Sequence, residues 1–333
     1  QKTNLKKADA LFRNYAYADA SKAYEEILQN SKNPSVQTLK NAADSYYFIS
    51  DERNAMKWYK KLYEAQGNNL TDIYYLRYIQ TLKGVKDYDQ ADKMTKEYLN
   101  KKGDQNEINR YVGQKKQLDS LSKAKSLYTV KNLDINTSKS DFGATFFQDR
   151  IVFTSARDTT KFSEKLYTWN NQPFLNLYLA DRNQADGSLF NETLFLPNVM
   201  TKYHEATASF DSSGKTIYYS TNIVKKNKLV IDESKTNNFQ IVKGDIVNNK
   251  LENPQQLFFD NADYSVGHPS LSEDGKWLFF ASDMKGGNGE TDLYYVKIAD
   301  DGTMSSPVNL GPKINTLGNE VFPFFRKGML YFS

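Results

Sequence analysis

VGHPSLSEDGKWLFFASDMKGGNGETDLYYVKI, residues 266–298, reads as a hairpin followed by a third strand. A short run, Val266–Ser272, leads into Glu273-Asp274-Gly275-Lys276, and an apolar, aromatic run, Trp277–Ser282, follows. The Asp274-Gly275 pair sits where a tight turn needs positive φ, which glycine supplies without steric cost. Beyond Gly286-Gly287-Asn288-Gly289, the segment Thr291–Ile298 is again rich in residues that suit a pleated surface. Short runs of this kind, bounded by turn residues, predict many short antiparallel strands.

The same hairpin recurs on both sides. EATASFDSSGKTIYYST spans 205–221, EVFPFFRKGMLYFS spans 320–333, and a degenerate copy, DFGATFFQDRIVFTS, spans 141–155. Ser213-Gly214 and Lys327-Gly328 take the turn position. The aromatic anchors Phe153, Tyr219, Phe280 and Phe332 lie 66, 61 and 52 residues apart. A corner precedes two copies, NLDINTSKSDFGATFF (132–147) and NLGPKINTLGNEVFPFF (309–325). Third strands are expected at Asn176–Asp181, Phe239–Val247 and Thr291–Ile298. Four short strands per repeat is the pattern of a β-propeller blade.

The repeat resembles the blade of TolB-like (PD40, WD40-like) propellers. Pro269, Ser270, Leu271, Ser272, Asp274, Gly275, Lys276, Leu278, Phe279, Phe280 and Ser282 follow that pattern. Gly286-Gly287, Asp292, Leu293 and Tyr294 complete it. Three blades and the start of a fourth fall within the sequence. A propeller hides its strand edges by closing, so this one is expected to be incomplete at its C-terminal end and to continue beyond Ser333. SLYTVKNL (126–133) is expected to give an outer strand to a last blade.

Residues 1–125 carry a different period. YADASKAYEEI has Tyr17, Ala20, Tyr24 and Ile27; ERNAMKWYKKL has Glu52, Ala55, Tyr59 and Leu62; YDQADKMTKEY has Tyr88, Ala91, Thr95 and Tyr98. The alanines stand 35 and 36 residues apart. Spacings of three and four put each set on one helix face, where the alanine lets two helices approach and the aromatic covers the gap. One such pair cannot bury its own face, so the units must stack. Residues 104–125 are expected to form a capping helix.

This half resembles the tetratricopeptide repeat (TPR), a helix–turn–helix unit of about 34 residues, although its first-helix Trp and Gly are missing. The expected architecture is therefore multidomain: a TPR α-solenoid over 1–125 and a β-propeller over 126–333. In such repeats the first helix of each pair lines the partner-binding side. By that resemblance the candidates are Asp9, Phe12 and Arg13, then Lys40, Asp44 and Tyr47, then Leu76, Gln80 and Lys83.

Composition agrees with two domains, since 333 residues exceed what one core usually organises. Aromatics make up 14%, with 23 Tyr and 20 Phe against three Trp, an excess that favours sheet. Residues 1–125 hold 23 Lys/Arg against 16 Asp/Glu, while residues 126–333 hold 21 against 24. The basic excess is scattered as pairs such as Lys6-Lys7 and Lys60-Lys61. That fits a solvated helical face better than one basic patch, with an acidic partner as the other reading. No nucleic-acid motif accompanies it. No apolar run approaches the ~18–20 residues of a membrane span.

Catalytic patterns are missing. There is no Cys, and there are two His, at 204 and 268. His204-Glu205 begins like a zinc-protease motif without its second His. The Gly286–Gly289 loop lacks the Lys-Ser/Thr ending of a phosphate loop and joins two strands. No Gly-x-Ser-x-Gly elbow is present. Asp141, Glu205 and Glu320 recur at equivalent positions, which points to turn hydrogen bonds before paired-carboxylate chemistry. No enzyme, metal or cofactor is expected.

Helical repeats followed by TolB-like blades resemble the PorE-like, OmpA-family envelope proteins of Bacteroidota, associated with type IX secretion and gliding. The resemblance implies a periplasmic scaffold at the outer membrane. Its partners would be a β-barrel of PorP/SprF type, other secretion or adhesin components, and peptidoglycan. Peptidoglycan would be reached through a C-terminal OmpA-like domain that is absent from this sequence. The first residue, Gln1, is consistent with cleavage of a leader before it, and without Cys the chain is not expected to be a lipoprotein. Two other readings stay open: a TolB-like propeller holding a peptide, and the propeller accessory of a serine peptidase.

Overall fold

A computed structural model describes residues 2–124, 129–157 and 166–333. Two compact units divide it: Gln1–Val130 with Tyr167–Gln172, and Lys131–Leu166 with Pro173–Ser333. The boundary read from sequence, after Lys125, lies outside the described residues.

The first unit is helical. Its helices are α1 (Lys2–Arg13), α2 (Tyr17–Gln29), α3 (Val36–Phe48), α4 (Glu52–Gln66), α5 (Asp72–Gly84), α6 (Tyr88–Lys102) and α7 (Gln105–Lys123). The first six form three helical hairpins. Ala20, Ala55 and Ala91 are all but fully buried at the hairpin contacts, with Tyr24, Tyr59 and Met94 beside them. Full burial of a large apolar side chain contributes about 1.5–3 kcal/mol, which is why these positions fix the packing.

Each first helix ends in the same way. Tyr15, Ser50 and Lys86 have φ of 58°, 58° and 64°. The N–H groups of Ala16, Asp51 and Asp87 then donate to the carbonyls of Leu11, Tyr46 and Leu82. This six-to-one closure satisfies the last turn of a helix and needs one left-handed residue. Asp51 and Asp87 next cap the following helices, accepting from the N–H groups of Asn54 and Gln90. The cap and the closure repeat at the spacing of the alanines. Helix α7 follows α6, and Tyr111 donates to Asp92 between them at 2.8 Å.

Tyr167–Gln172 completes this unit. A bridge between Tyr167 and Gln172 closes a small turn. Trp169 lies against Tyr15, Tyr17 and Phe48, and its Nε1 donates to the Phe48 carbonyl at 2.7 Å.

The second unit is a series of antiparallel sheets. The first is β1 (Asp141–Phe147), β2 (Arg150–Ser155), β3 (Asn176–Arg182) and β4 (Leu189–Leu194), in that order. The second uses β5 (Glu205–Phe210) and β6 (Thr216–Asn222), then a ribbon of β7 (Val224–Lys225) and β8 (Lys228–Leu229). It is completed by β9 (Phe239–Val247) and β10 (Lys250–Gln256). The third is β11 (Val266–Leu271), β12 (Trp277–Ser282), β13 (Asp292–Lys297) and β14 (Val308–Asn309). A hairpin of β15 (Phe324–Arg326) and β16 (Met329–Tyr331) ends the chain, and Ser333 exchanges both backbone hydrogen bonds with Val321.

The turn glycines Gly214, Gly275 and Gly328 have φ of 70°, 71° and 75°, as the hairpin reading requires. The recurring carboxylates hold corners. Asp141, Glu205 and Glu320 each accept from the N–H and the hydroxyl of a threonine four residues earlier, Thr137, Thr201 and Thr316.

The expectations for residues 126–133 and for the fourth anchor need correction. Residues 126–128 lie outside the described set, and residues 129–133 carry no strand. Phe153, Tyr219 and Phe280 are buried, but Phe332 is 43% exposed. The first three lie beside a third strand (β3, β9 or β13), whereas β16 pairs with β15 alone among the described residues.

Gly289 tests the packing of the loop before β13. A Cβ there would stand 2.5 Å from the carbonyl oxygens of Thr316 and Gly318, which are backbone and cannot swing aside. Gly289→Ala is expected to destabilise the second unit by about 1–3 kcal/mol. Gly113→Ala, in open space on α7, is expected to be neutral or stabilising by up to about 1 kcal/mol. Urea midpoints of the two variants check both.

Candidate functional site

Two places offer a surface for recognition: the face of the first helices in the helical unit, and a cavity in the sheet unit.

Helices α1, α3 and α5 are neighbours in the array. Their shared face starts from Asp44, which is 5% exposed. An isolated carboxylate there would be costly, and it is met by the Arg77 guanidinium at 2.8 Å and the Tyr59 hydroxyl at 2.7 Å. Burial raises the Asp44 pKa from its ordinary value, although Tyr59 and Arg77 pull the other way. Arg77 also lies over the rings of Phe48, Tyr47 and Tyr74. Tyr47 donates to Gln80 at 2.5 Å, and Lys40 sits over the Tyr74 ring at 4.8 Å.

The nine residues named from sequence therefore divide. Arg13, Leu76, Gln80 and Lys83 are exposed, and Lys40 and Tyr47 are half-buried. Phe12 packs against Tyr17 and Tyr24 and belongs to the core margin. Asp9 accepts from the Tyr24 hydroxyl at 2.6 Å. Asp44 faces inward, so as an open contact residue it is corrected: its carboxylate is consumed by Arg77 and Tyr59. Sequence reasoning missed Arg77 and Tyr74. An available signal was the spacing of Arg77 from Asp44, 33 residues, close to one repeat. Trp169 had no signal, because no periodicity reaches that segment.

The cavity encloses about 670 Å³ and is lined by the first strand of each four-stranded sheet and of the last hairpin (the inner strands β1, β5, β11 and β15), through Phe142, Thr145, Ser209, His268, Phe322 and Arg326 among others. One device recurs in β1, β5 and β11 and just ahead of β15. Gly143, Thr207, His268 and Phe322 have φ of 65°, 31°, 55° and 53°. In the three full sheets this residue falls in a bulge, where pairing skips between Phe142 and Thr145, Ala206 and Ala208, and Gly267 and Ser270.

The bulge frees an N–H for the preceding sheet. Thr207 donates to the Thr154 hydroxyl at 2.9 Å and His268 to the Ser220 hydroxyl at 2.8 Å. Farther along, Leu271 and Phe325 donate to the hydroxyls of Ser209 and Ser270, both at 2.9 Å. Polar side chains thus stitch successive sheets around the cavity. Phe322 reaches the His268 ring, with centroids 4.0 Å apart, and the Phe142 ring at 5.9 Å.

Both histidines are held neutral by burial, with pKa values lowered to about 4. His204 Nδ1 accepts from the Leu175 N–H at 3.1 Å, which suits a structural role. Among the described residues no group of three or more His, Asp or Glu side chains is arranged to hold a metal ion, and no helix is long and apolar enough to cross a membrane.

Glu205 differs from its counterparts. Asp141 is paired with Arg157 at 3.1 Å, and the hydrogen bonds from Ser155 and Thr137 with this ion pair outweigh burial and hold its pKa low. Glu205 is 1% exposed, its Oε2 has no hydrogen-bond partner among the described residues, and burial pushes its pKa up to about 8. The unfolded group ionises near its ordinary value of 4.5 while the folded group keeps its proton to about 8. Its contribution is fully present below pH ~4.5 and is lost as pH rises through ~8. Glu205→Gln should therefore flatten the stability profile across that window. It should exceed the parent at pH 8 by a few kcal/mol, on the order of the linkage for such a shift. Urea denaturation at pH 5 and pH 8 measures it.

No family model matches the chain, and no curated protein matches it. Solved structures share only a remote likeness. A puromycin-hydrolysing peptidase of Mycobacterium tuberculosis matches 54% of this chain and 24% of its own, at 10% identity and a TM-score of 0.31. Prolyl oligopeptidase B of Galerina marginata matches 59% of this chain and 26% of its own, at 13% identity and a TM-score of 0.31. An α-L-arabinofuranosidase of Lactobacillus brevis matches 54% of this chain and 59% of its own, at 15% identity and a TM-score of 0.32. The chain spans less than two thirds of each. Likenesses of this degree assign neither fold nor activity.

Proposed function

We propose that this chain is a non-enzymatic protein-interaction scaffold, a TPR-like α-solenoid followed by the blades of a TolB-like β-propeller. In this reading it works in the periplasm beside the PorE-like, OmpA-family proteins of Bacteroidota. It joins an outer-membrane barrel of PorP/SprF type to peptidoglycan through a C-terminal OmpA-like domain.

The supporting observation is repetition without specialised chemistry. Three helical hairpins share one closure, and a left-handed residue recurs in three inner strands and just ahead of the fourth. Stacked units of both kinds build broad surfaces, which suits macromolecular partners. The three recurring carboxylates are taken up by corner threonines. The gene sequence following Ser333 tests the reading. An OmpA-like domain there is the expected result, and a region with a Gly-x-Ser-x-Gly elbow would replace it with the peptidase-accessory reading.

A second reading is favoured by the cavity of about 670 Å³ among the inner strands, which is large enough for a peptide segment. There the chain acts as a TolB-like propeller and the helices are secondary. Phe322→Ala and Ser209→Ala would then abolish partner binding, while substitutions on the first-helix face would leave it intact.

A further inference from the structure

We infer that the β7–β8 ribbon of the sheet unit seats on an anionic lipid bilayer, its aliphatic face entering the headgroup boundary and its lysines meeting lipid phosphates. The inference concerns this unit alone and does not rest on the scaffold reading.

The ribbon is an addition to its sheet. The chain passes from β12 towards β13 through residues 283–290 without a strand, whereas between β6 and β9 it runs out and back as β7 and β8. The base of the ribbon is fixed. The Ile223 N–H donates to the Asn238 carbonyl and the Val230 N–H to the Ile223 carbonyl. Asn237 Nδ2 donates to the carbonyls of Ile223 and Val230, at 2.9 and 2.5 Å. Lys226 and Asn227 turn the tip with φ of 50° and 61°, the left-handed pair that a two-residue hairpin loop takes. The Tyr203 hydroxyl donates to the Asn227 carbonyl at 3.5 Å.

The register makes the ribbon two-faced. Val224 stands opposite Leu229 and Lys225 opposite Lys228. Cross-strand partners share a face, so one face is aliphatic and the other basic. Ile231, two residues past Leu229, continues the aliphatic face. Leu229 and Ile231 are 38% and 56% exposed. Residues 224–231 hold three Lys and no Asp or Glu, a net of +3. Lys225, Lys226 and Lys228 are exposed and make no ion pair among the described residues, and the same holds for Lys202 next to Tyr203. The Asp232 carboxylate is taken up by Ser234, Thr236 and Asn238, which leaves Glu233 as the nearest exposed acid along the chain.

Lysines alone would suit a short edge kept from pairing with other strands. The aliphatic face beside them calls for an apolar cover as well. An anionic bilayer supplies both, with phosphates at the headgroups and hydrocarbon just below. An acidic polypeptide is a weaker fit, since strands of two residues offer another chain almost no edge to pair with.

The test is flotation of the full chain with vesicles of equal parts phosphatidylglycerol and phosphatidylcholine, against phosphatidylcholine alone. Binding to the anionic vesicles, weakened by salt, is expected. Each lysine at an anionic surface strengthens binding by about fivefold. Lys225→Gln/Lys226→Gln/Lys228→Gln should therefore weaken it at least tenfold, and Leu229→Ser/Ile231→Ser at least threefold. Lys60→Gln/Lys83→Gln/Lys93→Gln removes the same charge from the helical unit and should change it less than twofold. Urea midpoints read by Trp fluorescence confirm that the variants fold. The chain has no Cys, so Leu229→Cys takes a single environment-sensitive nitrobenzoxadiazole label. That label should brighten and shift to the blue with anionic vesicles, and one at Asp300→Cys should not.

Equal loss in the two lysine variants, equal binding to phosphatidylcholine, or no flotation with either vesicle overturns the assignment. So does a label at position 229 that stays unchanged while the protein floats. Release of the bound chain by soluble polyglutamate, with the label unmoved, would give the tip to an acidic polypeptide instead.

Discussion

Arg77→Ala is expected to lower the stability of the helical unit by about 3 kcal/mol, the lower part of the range for breaking a buried ion pair. The partner explains the size. Asp44 keeps 7% of its side-chain exposure and Arg77 21%, so removing the guanidinium strands a carboxylate that water barely reaches. The three rings under the guanidinium, Tyr47, Phe48 and Tyr74, lose their cover as well. Burial already raises the Asp44 pKa, and without Arg77 it should rise further. A group with a raised folded pKa contributes stability below its unfolded pKa and loses it as pH rises. The penalty of Arg77→Ala should therefore shrink at pH 4 and reach its full size at pH 7. Adding Asp44→Asn should recover much of it. Urea denaturation followed at 222 nm is the measurement, and a penalty that ignores pH and the second substitution would contradict the ion-pair account.

Phe280→Ala is expected to cost the sheet unit about 3–5 kcal/mol. Phe280 is fully buried, stacked on Phe259 at 4.9 Å and on Tyr294 at 5.9 Å. Truncation removes the transfer free energy of the ring and leaves a cavity that two aromatic neighbours cannot collapse into. Phe332 occupies the corresponding place in the last hairpin yet is 43% exposed, so Phe332→Ala should cost under about 1 kcal/mol. Trp277 opens β12 beside this core and reports on it by fluorescence, and the helix signal at 222 nm should stay largely intact. Equal costs at the two positions would mean that the repeat does not set the environment of its anchors.

Much of this architecture was legible in the sequence because both halves repeat. The 35- and 36-residue spacing of Ala20, Ala55 and Ala91 marked the buried centres of three helical hairpins. Gly214, Gly275 and Gly328 marked the hairpin turns. Features set by tertiary contact were less visible. The helix closures use Tyr15, Ser50 and Lys86 in a left-handed conformation where glycine is the usual signal, so composition hid them.

The inner-strand device was hidden for the same reason. Gly143, Thr207, His268 and Phe322 share a backbone conformation and no side-chain chemistry. The N–H groups of Thr207 and His268 donate to a hydroxyl of the preceding sheet. The candidate site was half legible. The TPR resemblance named Arg13, Lys40, Gln80 and Lys83, of which Arg13, Gln80 and Lys83 are exposed and Lys40 is half-buried. The resemblance could not tell that Asp44 turns inward, because that depends on Arg77 one repeat away.

The most direct test of the scaffold claim is crosslinked capture from intact cells of the source organism. The tagged full-length protein serves as bait, and partners are identified by mass spectrometry. Recovery of an outer-membrane β-barrel, reduced at least tenfold by Arg13→Glu/Lys40→Glu/Lys83→Glu, is the expected result. Capture of no outer-membrane barrel, together with measurable hydrolysis of a peptide or glycoside by the same purified protein, would contradict it.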